Sequence, residues 1–594
     1  MKRPAIPKVT GLRTLGRPRL TLAGTLVVER TWPFFIDIGV AAALLAGFWA
    51  ILWIAKFWFS SAIPEVEIHR SPSHLPLYAL YSLVRIFLAY ALSLIFAIAY
   101  GYTAAYNKRI ETLLIAMLDI LQSIPVLSFL PGVMLAMMSL FPSRQIGIEF
   151  GAILLIFTGE VWNIAFSFYT SLKSIPRELR EACDINRFSR WQRLFQLELP
   201  FSAIGLIWNS IVSVANGWFF LMVCEMFPVG TRNFRLPGLG SYLQTAASSG
   251  DLVAVGWGLV TMILIIVLTD QLLWRPLIAW SDKFKFENVE SASRVTSPVL
   301  DALRSSKIVG VINRYTFRPM TERLYTDLAQ RRIKRGPAME RRESSRIAAA
   351  AWLMIGAALL VVIGIAAFHA VMLLREIHRH ELLHLLAGAG LTFARVNAAL
   401  LIAALWTIPV GVAIGFNPRL SRIAQPLAQI AASFPATALF PLILVALESV
   451  GLGLGLGSLA LMLLAAQWYI LFNVIAGAQA IPSDLKETAT LFRFSGVQRW
   501  TTVILPGIFP FLITGLITAS GGAWNASIVA EYFQLKGHTL STLGLGAEIS
   551  AASEHASYPV LLAATMIMAL MVVTINRLVW RPLYHLAETK YRLD

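Results

Sequence analysis

The sequence predicts an all-α polytopic membrane protein, with about 12 transmembrane helices in two parallel six-span repeats. Three observations point there. Of 594 residues, 57% are hydrophobic and only 14% charged, with a mean hydropathy of +0.67; a soluble chain carries about a quarter charged residues. The apolar residues gather into long runs, each near the length that crosses a hydrocarbon core. The second half of the chain also repeats the first at a near-constant offset, as in a parallel duplication.

Charge placement supports this and excludes another class. The formal charge is +17, and residues 1–32 and 281–346 contribute +6 and +7 of it. Both segments flank apolar runs, which is the positive-inside pattern, and anionic lipid on the inner face would attract them. Nucleic-acid binding is therefore not expected. The two cysteines, Cys183 and Cys224, suggest neither a disulfide framework nor a metal site.

In chain order, residues 1–32 read as a basic cytoplasmic tail. Residues 33–280 form a first half of six spans with its core repeat at about 77–277. Its first run, Phe34–Phe59, is too long for a signal-peptide core and reads as an uncleaved span. Runs follow at Leu77–Tyr100, Leu113–Leu140, Ile148–Ser171, Phe201–Met226 and Val253–Leu273, with Pro228–Asp251 as an outer loop. Residues 281–346 read as a basic cytoplasmic linker. Residues 347–594 repeat the plan, with a core at about 386–583 and runs at Ile347–Leu374, Leu391–Phe416, Ala424–Leu447, Leu452–Ile475, Ile508–Val529 and Val560–Leu578. Both termini fall inside.

The clearest repeat is polar. Ile175–Pro200 returns 306 residues later as Ile481–Pro506. Each copy opens on Ile-Pro, where a missing N–H costs a first helical turn nothing. Each then carries a Leu and a Glu (Leu179, Glu181; Leu485, Glu487), an Arg-Phe-Ser and a closing Leu-Pro. Ser189 with Gln192, and Ser495 with Gln498, fit capping boxes that start a second helix. The same offset pairs Trp162 with Trp468, Trp218 with Trp524 and Glu225 with Glu531. Upstream it is 310, pairing Arg85 with Arg395 and Pro125 with Pro435.

The helical hairpin resembles the cytoplasmic loop of ABC importer membrane subunits: Glu-Ala-Ala, three residues, Gly, then Leu-Pro about a dozen residues on. Here it reads Glu181-Ala182-Cys183 and Glu487-Thr488-Ala489. The departure is at the Gly, which is Arg187 in one copy and Arg493 in the other. A Gly there eases a left-handed turn, and an Arg holding the same turn bears about 1–2 kcal/mol. The Pro-punctuated third run (Gln122–Pro131; Ala432–Pro441) and Gly217–Glu225 with Ala523–Glu531 look like the nitrate, taurine, alkanesulfonate and bicarbonate branch.

The resemblance implies a type I ABC importer permease fold with both halves fused, in a bacterial cytoplasmic (inner) membrane. It also implies two ABC ATPase subunits docking on Glu181, Ala182, Cys183, Arg187, Glu487, Thr488, Ala489 and Arg493. A periplasmic or lipid-anchored binding protein would deliver the solute. No phosphate-binding loop is present in the sequence, so ATP and Mg are expected on the partner ATPases, with no cofactor and no catalytic residue on this chain.

Ionisable and aromatic residues within spans are the candidates for the translocation path: Glu160, Trp162, Trp218, Glu225, Trp468, Trp524 and Glu531. For Glu225 and Glu531 the competing reading is a structural partner for an Arg or backbone group in the same half. For Glu160, whose counterpart is Ala466, it is a hydrated position near the span's outer end. Arg85 and Arg395 read as snorkelling to the interface. His378, His380 and His384 read as a polar lip facing a binding protein rather than as a metal site. The functional reading is an ATP-driven importer subunit for a small anion. The rival is an ion-gradient-driven secondary carrier with two parallel six-span halves, for which Glu225 and Glu531 would bind protons. A non-transporting scaffold that keeps the fold is the third reading.

Overall fold

A computed structural model describes residues 66–141, 145–186, 188–229, 232–284, 297–317, 364–432, 434–451, 453–535 and 538–590, with parts of 36–58 and 319–361. The tail 1–32, Arg187 and much of the linker lie outside the described residues, as do parts of the first and seventh apolar runs.

The second span is α1, Leu75–Tyr106, opened by Pro76 in its first turn. From Ala89 onward its buried face is small: Ala89, Ser93, Ala97, Gly101 and Ala104 recur at helical spacing. That stripe lets α4 (below) approach closely, as membrane helices require where no hydrophobic drive distinguishes protein from lipid. A methyl group on Gly101 would stand 3.0 Å from the Phe168 ring.

The third run is not one helix, contrary to the sequence reading. It is α2, Glu111–Ser123, a single 3-10 turn at Val126–Phe129, and α3, Leu130–Leu140. Pro125 pushes Ile124 out of the helical region to ψ 130°, so the helix ends at the residue before it.

The fourth span is α4, Ile146–Ser174, followed by the short α5, Arg177–Ile185. Helix then runs without interruption from Arg190 to Cys224; its membrane part is α6, Leu199–Cys224. Beyond it the expected outer loop holds a hairpin, β1 (Met226–Val229) antiparallel to β2 (Arg232–Arg235), then α7 (Leu239–Ser248) and α8 (Leu252–Thr269).

The second half repeats this order. It runs α9 (Arg379–Phe416), α10 (Pro418–Ala432), α11 (Ala436–Ser449), α12 (Leu454–Ala480), α13 (Ser483–Leu491), α14 (Leu505–Ala530), β3 (Tyr532–Leu535), β4 (His538–Ser541), α15 (Leu545–Glu554) and α16 (Tyr558–Ile575). Its third run is likewise broken, before Pro435. Eight described helices are long and apolar enough to cross a membrane, and the broken third spans contribute Val126–Leu140 and Ala436–Ser449. These ten correspond to ten of the twelve apolar runs of the sequence; the first and seventh lie partly outside the described residues.

Five prolines among the described residues share a device. Pro200, Pro276, Pro319, Pro506 and Pro582 each follow a five-residue π-helical stretch: Leu194–Glu198, Asp270–Trp274, Asn313–Phe317, Trp500–Ile504 and Asn576–Trp580. A proline lacks an N–H, and its ring collides with the carbonyl four residues back. The wider turn moves that carbonyl away and keeps the helix continuous.

The halves interlock through their broken third spans. The Val126–Phe129 turn packs on α14, and α11 packs on α6 and α8. Val126 N–H, freed by the break, donates to Asn525 Oδ1 of α14 at 2.8 Å. One apolar core runs through both halves and buries Trp218 and Trp524.

Candidate functional site

Three arrangements stand out, from the hairpin end of the bundle to the opposite one. At the hairpins, both predicted capping boxes are present: Gln192 N–H donates to Ser189 Oγ and Gln498 N–H to Ser495 Oγ. Arg493 holds a left-handed φ of +51°, so the turn keeps the shape that a Gly would give it. Glu181, Ala182, Glu487, Thr488 and Arg493 are exposed, whereas Cys183 and Ala489 turn inward and are buried. Burial pushes the Cys183 thiol up. Exposed apolar residues recur at matched positions: Ile185 with Leu491 (each 81% exposed) and Trp191 with Val497. Periodicity alone did not flag them, because a lone Ile in a polar helix carries no signal.

Each hairpin is fastened to its own half. Arg180 Nη2 donates to Leu172 O at 2.6 Å, capping the C-terminal end of α4, and Lys486 Nζ donates to Ala478 O of α12 at 3.3 Å. Tyr106 at the end of α1 donates to Glu198 Oε1 at 2.5 Å. In the second half these two positions are Phe416 and Ile504, and the Phe416 ring instead receives Lys486 (4.7 Å) and Arg499 (5.8 Å). The chemistry differs, yet both tie the hairpin to the second span of its half.

At the opposite end, Glu225 and Glu531 terminate α6 and α14 and meet Arg85 and Arg395. Arg85 is fully buried rather than snorkelling. It donates from Nη1 to Glu225 Oε1 (2.7 Å) and Pro237 O (2.8 Å), and from Nε and Nη2 to Glu149 (2.6 and 2.7 Å). Glu225 also accepts from Ser82 Oγ and Gly240 N–H, both at 2.7 Å. In the second half Arg395 donates to Glu531 Oε1 (2.8 Å) and Leu543 O (2.9 Å), and Glu531 accepts from Thr392 Oγ1 and Gly546 N–H at 2.9 Å. Each network clasps the second span, the fifth span and the short outer helix together. Gly238 and Gly544 make room for it: a methyl at Gly238 would lie 2.2 Å from both Glu225 oxygens.

Between the ends, the halves meet on neutral polar groups. Asn216 of α6 donates to Gly159 O (3.0 Å) and faces Tyr469 of α12, whose hydroxyl lies 3.5 Å from Asn216 Oδ1. Within the first half, Gln122 Nε2 donates to Asn163 Oδ1 at 3.4 Å. These residues carry no charge, so a search for ionisable groups passed over them.

Behind Asn216, Glu160 is fully buried, and neither of its oxygens has a hydrogen-bond partner among the described residues. Its Oε1 occupies the space above Gly217, where a methyl would approach to 2.2 Å. On the same faces, Tyr90 donates to Ser210 Oγ at 3.0 Å, and Ser213 Oγ is buried without a partner among the described residues. The counterparts in the second half are all apolar: Leu400 for Tyr90, Ala466 for Glu160, Leu516 for Ser210, Ala519 for Ser213 and Ala523 for Gly217. Trp162 and Trp468 are half-buried nearby on α4 and α12.

Among the described residues, no group of three or more His, Cys, Asp or Glu could hold a metal ion. His378 caps α9 with Glu381, and His384 Nδ1 lies 3.3 Å from Glu548 of α15.

Comparison with known proteins places the architecture in a family. The bicarbonate transport system permease protein of Synechococcus elongatus is 32% identical over 140 residues, 24% of this chain and 49% of that protein. The taurine transport system permease protein of Escherichia coli is 29% identical over 184 residues, 31% of this chain and 62% of that protein. The nitrate import permease protein of Leptolyngbya laminosa is 29% identical over 137 residues, 23% and 48% of the two chains. The chain thus spans about half the length of the first of these relatives. The family described as binding-protein-dependent transport system inner membrane component matches residues 76–273 and 407–580, one segment in each half and together more than half of the chain. Two matched segments, each with its hairpin, make this chain a member of that family.

Proposed function

We propose that this chain is the membrane subunit of an ATP-driven importer and forms the translocation path for a small anion of the bicarbonate, nitrate or sulfonate kind. The observation that carries the reading is the pair of matched hairpins, each with an exposed Glu (Glu181, Glu487) beside a bare apolar residue (Ile185, Leu491). ATPase subunits dock there and hold the ATP and Mg, while the chain itself does no chemistry. Helix continuity from Arg190 to Cys224, and from Gly496 to Ala530, makes each hairpin and its fifth span one lever. Movement of a docked ATPase is therefore delivered to α6 and α14, where Asn216 and Tyr469 sit between the halves. The small-anion assignment rests on the substrates in the relatives' names. Neutral donors such as these suit a weakly held anion, which has to leave as readily as it enters. A binding protein delivers the anion at the clasp end, in the cell membrane of a bacterium with both termini inside. The carrier alternative loses its proton-binding pair, since both Glu225 and Glu531 are committed to arginines.

The test is co-purification with the cognate ATPase, and anion uptake, for Ile185→Asp, Leu491→Asp, Glu181→Lys and Glu487→Lys. Placing like charges or a carboxylate on a docking surface costs several kcal/mol. Each variant should insert normally and lose ATPase and uptake. Uptake at the wild-type rate in all four would refute the assignment.

A further inference from the structure

The two clasps differ in one respect that creates a vacancy of charge. In the first half the Nε and Nη2 edge of Arg85 is covered by the bidentate Glu149 carboxylate, and Arg85 and Glu149 are both fully buried. In the second half Gly455 stands in place of Glu149, at the offset of 306 that also aligns Gly457 on Leu444 with Gly151 on Met134. A methyl group on Gly455 would meet nothing within 4 Å. Arg395 uses Nη1 for Glu531 and Leu543 O, and Nη2 for Thr542 Oγ1 at 2.9 Å. Its Nε has no hydrogen-bond partner among the described residues, and its side chain is 18% exposed, against 0% for Arg85.

We propose that this free edge of Arg395 is a binding site for a small oxyanion, carboxylate-like or phosphate-like, seated above Gly455. A planar guanidinium with Nε and one Nη2 hydrogen directed outward suits two oxygens of one anion at once. The local charge permits it. Arg395 and Glu531 together are neutral, and the first half already places two carboxylates on a single arginine at the same point in the fold. The bound anion would do for the second half what Glu149 does for the first, joining the start of the fourth span to the ends of the second and fifth. A covalent tether in one half is a replaceable one in the other. Anion binding at Arg395 requires neither transport nor an ATPase. The same chemistry is offered by a free oxyanion and by the phosphate of an anionic lipid headgroup.

The experiment uses the purified full chain in detergent, stripped of lipid. Thermal unfolding is followed while bicarbonate, nitrate or phosphate is titrated at constant ionic strength, and in a separate arm while phosphatidylglycerol is added without them. The wild type should show a saturable rise in midpoint with an oxyanion, with the lipid, or with both, and the responding arm identifies the source. Gly455→Glu supplies an internal carboxylate, so its midpoint should already be raised and should no longer respond. Arg395→Lys keeps the charge but loses the planar edge, and its apparent affinity should fall about tenfold or more, the loss of one charge-assisted hydrogen bond. An unresponsive wild type in both arms, or a response of wild-type affinity in Arg395→Lys, would overturn the site.

Discussion

Arg85→Met removes the centre of the buried clasp, and the structure sets the size of the effect. Four hydrogen bonds are lost, three of them to carboxylates at 2.6–2.7 Å, and Glu149 and Glu225 are left facing each other without exposure. Breaking a buried ion pair by deleting one partner costs about 3–5 kcal/mol, mostly as the penalty of the stranded charge. Arg395→Met strands a single carboxylate, which keeps Thr392 and Gly546, so about 1–3 kcal/mol is expected there. The difference between the two, about 2 kcal/mol, is the quantity to measure, as the unfolding midpoint of the purified chain by fluorescence-detected size exclusion. A triple change of Arg85, Glu149 and Glu225 to Met removes every buried charge at similar volume and should recover most of the loss, since apolar replacements of buried ion pairs are often neutral. Equal losses in the two single variants, or a triple variant as unstable as Arg85→Met, would refute the electrostatic account.

Three further outcomes can be checked in the same preparation. Gly217→Ala should cost about 1–3 kcal/mol by overpacking against Glu160, and Gly217→Ala with Glu160→Ala, which recreates Ala466 with Ala523, should restore stability; simple additivity of the losses would contradict the packing. Asn525→Leu leaves Val126 N–H without its acceptor and should cost about 1–3 kcal/mol of stability, read as a lower unfolding midpoint; a wild-type midpoint would contradict the contact. Lys173 foremost, and then Tyr169, hold the Glu111 carboxyl below the usual carboxylate range. Because that value is lowered by folding, its stabilisation is complete above the unfolded value of about 4.3 and is lost as pH falls through the folded one; Glu111→Gln should flatten this acid limb in a pH series of unfolding midpoints.

The sequence made the repeat legible because duplication leaves rare residues at fixed spacing, as with Ser189-Gln192 against Ser495-Gln498. The spans were legible because hydropathy is a local sum. The break at Pro125 was visible as a proline, but whether a proline kinks, breaks or merely opens a helix depends on what accepts the freed groups. Here that acceptor is Asn525, in the other half of the chain. The outer hairpins β1–β2 and β3–β4 were missed because four-residue strands in a Gly-rich stretch carry too few alternations to register. Arg85 was misplaced for a related reason: its partners Glu149 and Glu225 are 64 and 140 residues away. A lone arginine near a span's end reads as an interface anchor until those carboxylates are brought to it.

What the halves share and what they do not share divides by location. The hairpins, the proline-linked π turns and the clasps recur in both, and these are the parts that would transmit force along the helices under the proposed function. The buried middle departs from the repeat. Tyr90, Glu160, Ser210, Ser213 and Gly217 are polar or small in the first half, and Leu400, Ala466, Leu516, Ala519 and Ala523 are apolar in the second. The apolar set shows that the fold does not need the polar one, and a buried carboxylate without partners is costly to keep for packing alone. Two separate identical chains would be obliged to present Glu160 twice across the pseudo-symmetric centre. Fusion removes that obligation, so one half can hold a polar wall behind Asn216 while the other supplies Tyr469 against it. The asymmetry therefore lies where the solute would pass, and the symmetry where the motors would pull.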